Sequence, residues 1–204
     1  MIYRLCDELI AQGSEVVSSA QIGSRLGIGA HSVRKDIGYL GQMGAGKAGY
    51  DVARLRSRIE QVLGLANGRR ACVVGLGRLG AAILGYRRLA QSGHRIVAGF
   101  DSNINRLETI RTDVALYPAY EIAEVARREM IELGIVAVPA EAAQQTAGAL
   151  VEGGVRGIVN FAPVVIAVDS PTVVVRNIDV VNELRVVSSL LALQEQGRNR
   201  PAQG

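Results

Sequence analysis

The sequence predicts an α/β protein of two parts, in which a small helical domain is followed by a doubly wound sheet of parallel strands. Two observations support this prediction. Short amphipathic helices separated by glycine turns occupy the first 68 residues, and from Ala71 onward short Val- and Ile-rich runs alternate with helical patterns. Such alternation is typical of right-handed βαβ crossovers, which cover parallel strands with helices on both faces. We place the boundary between residues 68 and 69.

The composition limits both the chemistry and the cellular setting. The 204-residue chain is 49% hydrophobic but only 4% aromatic, so its core consists mainly of Val, Ile, Leu and Ala. No apolar run approaches the roughly 18 residues of a membrane span, and the N-terminus lacks a signal segment, so we expect a cytoplasmic protein without a membrane partner. The two isolated cysteines, Cys6 and Cys72, predict neither a disulfide nor a metal site.

The N-terminal domain has the element order of a winged helix. Helical spacing over residues 1–12 ends at Gly13, and a short helix begins with Ser18 or Ser19 as its N-cap and ends at Gly27. A second helix follows after a short turn in "HSVRKDIGYLGQ", which completes a helix-turn-helix. The glycine-rich "MGAGKAGYDV" favours a hairpin, the wing, and "VARLRSRIEQVLGL" is a closing amphipathic helix.

Basic residues fall where this domain would contact DNA. Arg34 and Lys35 lie early in the second helix of the helix-turn-helix, whose N-terminal residues reach base edges in the major groove. Arginine can bind guanine through two hydrogen bonds, while lysine suits phosphate or guanine. Lys47, in the predicted hairpin, is placed to reach a phosphate or the minor groove. The same residues also fit a small helical domain with a solvated basic face, and the net charge of +4 permits either.

The second part consists of short strands that alternate with helices. The predicted strands are Ala71–Val74, Arg95–Phe100, Val114–Leu116, Ile131–Val138, Gly157–Asn160 and Thr172–Arg176, and the clearest helices are Leu79–Gln91 and Ala140–Glu152. A last helix, from about Asp179 to Gln194, has a wide apolar stripe that would cover either its own sheet or a second subunit. The residues from Glu195 onward predict a disordered tail.

A glycine-rich turn links the first predicted strand of this part to its helix. The stretch "GLGRLG" fits G-x-G-x-x-G, in which Gly75 allows a tight turn and Gly77 lets the backbone approach a pyrophosphate. Gly80 lets the helix pack closely on the strand. Asp101 ends the next strand, 21 residues after Gly80, where a carboxylate binds the adenosine ribose and disfavours a 2′-phosphate. We therefore predict NAD(H) as cofactor, with Arg106 as a counter-signal toward NADP(H).

The sequence lacks the proton donors that a dehydrogenase needs. No His, Lys or Cys occurs from Arg95 to the C-terminus, and His94 precedes its strand instead of following it. There is also no further domain long enough to hold a substrate, so we predict a non-enzyme with no catalytic residue and no small-molecule substrate. The alternatives are a small NAD-dependent oxidoreductase with an accessory helical domain, and a DNA-binding protein whose nucleotide is structural and always bound.

Taken together, the motifs resemble those of the redox-sensing transcriptional repressor family Rex, from about residue 2 to residue 193. The resemblance is carried by "SSAQIGSRLG", "VRKDIGYLG", "GYDV", "VVGLGRLG", "FD" at residues 100–101, "VPAEAAQ", "GIVNFAP" and "NIDVVNEL". It implies a homodimer that binds a palindromic double-stranded operator and leaves it when NADH binds. The implied domains are a winged helix (1–68), a Rossmann-type NAD(H) domain (69–178), a C-terminal helix swapped between subunits (179–195) and a disordered tail (196–204).

The resemblance also implies roles for individual residues. Contacts with DNA are expected from Ser32, Arg34, Lys35, Lys47 and Tyr50. Contacts with the cofactor are expected from Gly75, Gly77, Arg78, Leu79, Gly80, Asp101, Pro139, Asn160 and Phe161. Arg4, Tyr86 and Asp179 match a family trio near the nicotinamide that links the DNA-binding domain, the cofactor and the swapped helix, and an Arg4–Asp179 pair formed in one state would act as a switch.

Three positions depart from the usual pattern of that family. Gly46, with Lys47 beside it, stands where the wing often has an arginine, and Ser32 stands where a glutamine is usual. Val180 replaces a larger apolar residue that inserts toward the partner's nicotinamide. These departures predict an altered operator preference and an altered response to NADH.

Overall fold

The computed structural model describes residues 1–41, 49–64, 68–86, 89 and 92–198. The chain forms two compact units, Met1–Gly68 and Arg69–Gly204. Lys47, Gly46, most of the predicted hairpin and residues 199–204 of the predicted tail lie outside the described residues. Within the described part, no helix combines the length and apolar character needed to cross a membrane.

The first unit consists of four helices and a pair of very short strands within its described residues. Their bounds are α1 Ile2–Ala11, β1 Val16–Val17, α2 Ser19–Leu26, α3 Ala30–Gly38, β2 Tyr50–Asp51 and α4 Val52–Val62. Strands β1 and β2 pair antiparallel, with Val17 opposite Tyr50. The two strands therefore join the chain before the helix-turn-helix to the chain after the predicted wing.

Local capping fixes the ends of helix α2. Ser18 accepts a hydrogen bond from the Gln21 backbone N–H, and the Gln21 side chain accepts one from the Ser18 N–H, which forms a capping box. The helix ends at Gly27, whose φ of 68° lies in the left-handed region that glycine adopts without strain. Both ends match the sequence expectation, because capping depends on residues only three or four positions apart.

Helices α1 and α4 are held together by an apolar core and by a polar cluster. The buried apolar side chains of this unit are Leu5, Cys6, Leu9, Val17, Ile22, Val33, Ile37, Tyr50, Val52, Leu55 and Ile59. At its margin, Arg56 contacts Asp7 at 2.5 Å and Glu60 at 2.8 Å, and Tyr3 donates to Glu60 at 2.7 Å. Burial and the hydrogen bond to Glu60 raise the pKa of Tyr3 to about 12.

The second unit contains a six-stranded parallel sheet. Its elements are β3 Arg69–Val74, α5 Arg78–Leu84, β4 His94–Asp101, α6 Ile104–Thr109, β5 Ala115–Pro118, a 3-10 turn Ala119–Glu121, α7 Ile122–Arg128, β6 Leu133–Val136, α8 Ala140–Glu152, β7 Gly157–Asn160, β8 Val174–Asn177 and α9 Val180–Arg198. The strand order is β5-β4-β3-β6-β7-β8, and every described pair is parallel. The winding direction reverses between β3 and β6, which is where ligands bind in doubly wound sheets.

The predicted strand positions are correct to within about two residues, and the shifts have local causes. Strand β6 begins at Leu133 and not at Ile131, because the Ile131 N–H bonds to the Ala126 carbonyl and finishes helix α7. Helix α5 ends at Leu84, seven residues before the predicted Gln91, with Gly85 as its C-cap. Residues 87, 88, 90 and 91 of that predicted helix lie outside the described residues.

The apolar side chains of helix α9 are not covered by the rest of the described chain. It runs to Arg198, so the residues predicted to begin a disordered tail continue the helix. Its apolar side chains are exposed, which contradicts the alternative that the helix covers its own sheet. They are Val180, Val181, Leu184, Val186, Val187, Leu190, Leu191 and Leu193, each between 46% and 64% exposed.

Candidate functional site

A cavity of about 450 Å³ opens at the carboxyl ends of β3, β4 and β6, at the switch point of the sheet. It is lined by Val74, Gly75, Gly77, Asp101, Ser102, Arg106, Ala119, Ala137, Val138, Pro139, Ala142 and Thr146. Four of the residues predicted to contact the cofactor therefore come together here, namely Gly75, Gly77, Asp101 and Pro139.

The three glycines of the turn are required for different reasons. Gly75 has a φ of +88°, and a Cβ there would lie 2.5 Å from the Ala137 carbonyl oxygen. A Cβ on Gly80 would lie 1.8 Å from the Gly75 carbonyl oxygen, so this glycine allows α5 to pack on the turn. A Cβ on Gly77 would have no heavy atom within 4 Å, at an ordinary φ of −65°. Packing within the chain thus demands glycine at 75 and 80 but not at 77.

The open position at Gly77 fits a ligand that approaches the backbone. A side chain there would project into space that no described atom of the protein fills. Gly77 is also the N-cap of α5, so the first N–H groups of that helix, which have no partner within the helix, begin at the turn. The chain therefore presents what the pyrophosphate of a dinucleotide requires, a backbone without side-chain obstruction and free N–H donors.

Asp101 is buried at the end of β4 and holds the turn in shape. Its side chain is 3% exposed and accepts hydrogen bonds from the backbone N–H of Leu76 at 2.7 Å, the backbone N–H of Asn103 at 2.8 Å and Arg106 Nη1 at 2.9 Å. Burial acts to raise the pKa of this carboxyl, but the hydrogen bonds from Asn103, Arg106 and Leu76 outweigh burial and hold the pKa below its usual range. Asp101 is therefore an ionised carboxylate in the cavity wall.

Asn160 lies where the sequence predicts it, at the end of β7, but its side chain is turned inward. The residue is fully buried, and its amide donates to the Val164 carbonyl at 2.6 Å and to Asn177 Oδ1 at 2.9 Å. Its Oδ1 accepts from the Ala162 N–H at 2.9 Å. These bonds commit the amide to shaping the loop after Phe161, and the contact of Asn160 with the cofactor stays a prediction.

The remaining residues predicted around the cofactor are not part of the cavity lining. Arg78 and Leu79 are exposed on α5, Tyr86 is 55% exposed just after it, and Phe161 is partly buried after β7. Asp179 accepts hydrogen bonds from the N–H groups of Val181 and Asn182 and so caps α9. In the other unit, Arg4 pairs with Glu8 on its own helix at 3.2 Å.

Helix α3 presents basic side chains to solvent. Val33 and Ile37 are buried, while Ser32, Arg34 and Lys35 are exposed, so the face that packs and the predicted DNA-contacting face are distinct. Arg34 Nη1 donates to Ser19 Oγ at 3.2 Å, which fixes its guanidinium beside the start of α2. Tyr50, in contrast, is 8% exposed and packs in the core of the unit, and its contact with DNA stays a prediction.

Burial makes the thiols of both cysteines unreactive. Cys6 and Cys72 are buried. Burial raises the pKa of Cys6 to about 11 and that of Cys72 to about 12, so neither forms a thiolate at neutral pH. Among the described residues, no group of three or more His, Cys, Asp or Glu could hold a metal ion.

Sequence reasoning missed two polar groups of the cavity and the contact made by a third. Ser102 and Thr146 line it, and Arg106 contacts Asp101 directly instead of merely standing nearby in sequence. A signal was available for Thr146, which is the polar residue on the otherwise apolar buried face of α8. Ser102 carried no signal, because a serine after a strand is most simply a turn residue.

Two family models match the chain. One, described as "CoA binding domain", covers residues 67–164, and the other, described as "Putative DNA-binding protein N-terminus", covers residues 2–37. Among curated relatives, the redox-sensing transcriptional repressor Rex of Carboxydothermus hydrogenoformans is 38% identical over 185 residues, which span 91% of this chain and 88% of the relative. Rex 1 of Thermotoga maritima is 36% identical over 188 residues, which span 91% and 89%.

Solved structures of one Rex-family repressor, RSP, also match the full architecture. The crystal structure of RSP in complex with β-NAD⁺ and operator DNA has a TM-score of 0.84 at 30% identity, covering 96% of this chain and 90% of the RSP chain. The complex of RSP with β-NADH has a TM-score of 0.85 at 29% identity, covering 98% and 93%.

Proposed function

Because the chain belongs to the Rex family of redox-sensing transcriptional repressors, we propose that it binds a palindromic operator as a homodimer and releases the operator when NADH binds at the switch point. The relatives are repressors and not enzymes. A repressor acts on DNA, so we place the protein in the cytoplasm.

The open position at Gly77 is the observation that supports a nucleotide ligand most directly. The packing of this chain does not require glycine there, whereas a pyrophosphate close to the backbone does. We assign the adenosine half of NADH to Gly77 and Asp101, and the nicotinamide half to the loops after β6 and β7, at Pro139 and Phe161. When bound, the dinucleotide supplies bulk and charge in the crevice.

Coupling to DNA follows from the dimer. Two recognition helices must lie about 34–36 Å apart, or a multiple of that distance, to read both half-sites of a palindrome. A ligand that binds one arrangement of the two subunits more tightly shifts the population toward it, and a tenfold preference corresponds to about 1.4 kcal/mol. NADH then releases the repressor from its operator by favouring an arrangement in which the spacing of the two α3 helices does not match the two half-sites.

The exposed apolar residues of α9 support the dimer. The helix is apolar on most of its circumference, and such helices are buried on several sides in folded proteins. Since its side chains are exposed in the single chain, we assign the cover to the partner subunit, as expected for a swapped helix. Val180, at its start and 64% exposed, is then available to the partner's cofactor site.

The test compares Gly77→Val with Gly148→Ala. The Cβ of a valine at position 77 would meet no heavy atom within 4 Å, and its methyl groups extend into the cavity, so we expect a folded, DNA-binding protein that no longer responds to NADH. Gly148 lies in α8, and a Cβ there would also meet no atom within 4 Å, so Gly148→Ala is the matched control. DNA binding is followed by gel shift on a palindromic duplex that the wild-type protein selects from a random library, across NADH/NAD⁺ ratios.

The proposal requires that wild type and Gly148→Ala leave the duplex as NADH rises, while Gly77→Val stays bound. Turnover of a carbonyl substrate by the wild type would instead support an oxidoreductase. Unchanged DNA binding with NADH demonstrably bound would support a structural nucleotide, and either result contradicts the proposal.

A further inference from the structure

Two charged side chains line the described cavity, and they neutralise each other. They are Asp101 and Arg106, joined at 2.9 Å between Asp101 Oδ2 and Arg106 Nη1. A carboxylate at the end of this strand disfavours a 2′-phosphorylated nucleotide chiefly by repulsion between negative charges. With Arg106 in contact, that repulsion is largely offset at the place where the adenosine ribose would lie.

The carboxylate of Asp101 also has little hydrogen-bonding capacity left for a ribose. Its two oxygens offer about four acceptor sites. Three are taken, by the N–H groups of Leu76 and Asn103 and by Arg106. The side chain is 3% exposed, so a ribose hydroxyl can reach it at one position at most. Asp101 therefore contributes less selective binding to a free 2′-hydroxyl than an open carboxylate would.

Arg106, in contrast to Asp101, retains most of its hydrogen-bonding capacity. Its side chain is 43% exposed, and in the described residues its guanidinium makes one hydrogen bond, through Nη1 to Asp101. A guanidinium carries five N–H donors in a planar fork that binds phosphate through two parallel bonds. Ser102, beside Asp101 in the cavity wall, adds a hydroxyl donor at the same edge.

We infer that Arg106 makes the site accept NADPH as a second ligand, by neutralising Asp101 and binding the 2′-phosphate together with Ser102. The inference rests on the proposed function, since it concerns the same crevice. The protein then responds to the reduced phosphorylated dinucleotide as well as to NADH, with a modest preference for NADH that the remaining acceptor site of Asp101 maintains.

The experiment measures dissociation constants of NADH and NADPH from the fluorescence of their reduced nicotinamide, for the full chain and three variants. For the wild type we expect NADPH to bind within about 30-fold of NADH. Arg106→Ala should lower the affinity for NADPH relative to that for NADH at least about tenfold, because the phosphate loses its partner and faces Asp101 uncompensated. Arg106→Lys should fall between the two, since it keeps the charge but loses the fork.

The matched control is Arg111→Ala, which removes an exposed arginine outside the cavity lining and should change neither constant. Thermal unfolding of each variant checks that the second unit is intact. NADPH binding more than about 1,000-fold weaker than NADH in the wild type, or an NADPH/NADH ratio unchanged in Arg106→Ala, overturns the inference and leaves the proposed function standing. Failure of both nucleotides to bind the wild type overturns both.

Discussion

The Asp101 carboxylate, at the end of β4, accepts a hydrogen bond of 2.7 Å from the backbone N–H of Leu76, inside the glycine turn that follows β3. One buried residue thus ties the second strand of the unit to the nucleotide turn of the first. Asp101, which the sequence predicts only as a ribose ligand, therefore also stabilises the turn.

The first prediction concerns the stability of the second unit. Asp101→Asn replaces an acceptor-only carboxylate with an amide, so one of the N–H groups of Leu76 or Asn103 loses its partner and Arg106 loses its counter-charge. We expect the free energy of unfolding to fall by about 1–3 kcal/mol, which urea denaturation measures. Asp113→Asn, at an exposed aspartate, is the control and should change it by less than about 0.5 kcal/mol. Equal losses in the two variants would show that Asp101 does not stabilise the turn.

The second prediction concerns pH. Because the pKa of Asp101 is held below its usual value in the folded protein, its carboxylate stabilises the fold above the unfolded pKa of about 3.9. That contribution is lost as pH falls from about 4 through the folded pKa. Unfolding measured between neutral pH and about pH 3 should therefore show a decline in stability that is shallower in Asp101→Asn. Parallel curves for the two proteins would contradict this assignment.

The third prediction concerns helix α9. Replacing Leu184 and Leu191 together with glutamate puts two charges on an apolar surface that we assign to the subunit interface. A charge buried without a partner is strongly unfavourable, so we expect the dimer to dissociate. Light scattering coupled to gel filtration measures the mass, and operator affinity should fall with it. Gln194→Glu, at an exposed polar position of the same helix, should remain dimeric.

The fourth prediction separates the two units by function. Arg34→Ala should weaken operator binding by about 1–3 kcal/mol, and Lys35→Ala should reduce the salt dependence of binding by about one counterion. NADH affinity should remain that of the wild type in both, because α3 belongs to the other compact unit. A gel shift at several salt concentrations measures operator affinity and its salt dependence, and the fluorescence of bound NADH measures nucleotide affinity. Loss of NADH binding in either variant would indicate misfolding.

Much of the cofactor site could be anticipated, because its signals are local or depend on parallel topology. The glycine turn needs only residues 75–80, and Asp101 follows from its place at the end of the next strand, 21 residues after Gly80. Asn160 shows where this reasoning stops. The sequence put it at the end of a strand, but the direction of its amide depends on carbonyls and side chains that only the folded loop brings near.

Tyr50 and helix α9 also show that local sequence patterns do not decide which side chains are buried. Tyr50 borders a glycine-rich hairpin in sequence, but pairing of β2 with β1 places it in the core of its unit. The apolar pattern of α9 predicted burial against something, and its exposure in the single chain excludes its own sheet. Periodicity reports that a face will be covered, whereas only the packing of distant segments decides what covers it.

The sequence by itself determined the two-part α/β architecture, the alternation of strands and helices, the caps of α2 and the glycine turn. These depend on hydrophobic period and on residues a few positions apart. Tertiary structure alone decided that Asp101 shapes the turn, that Arg106 neutralises it, that Asn160 faces inward and that α9 lacks cover within the chain. Each of these depends on contacts between atoms far apart in sequence, whose distances and remaining hydrogen-bonding capacity no linear pattern specifies.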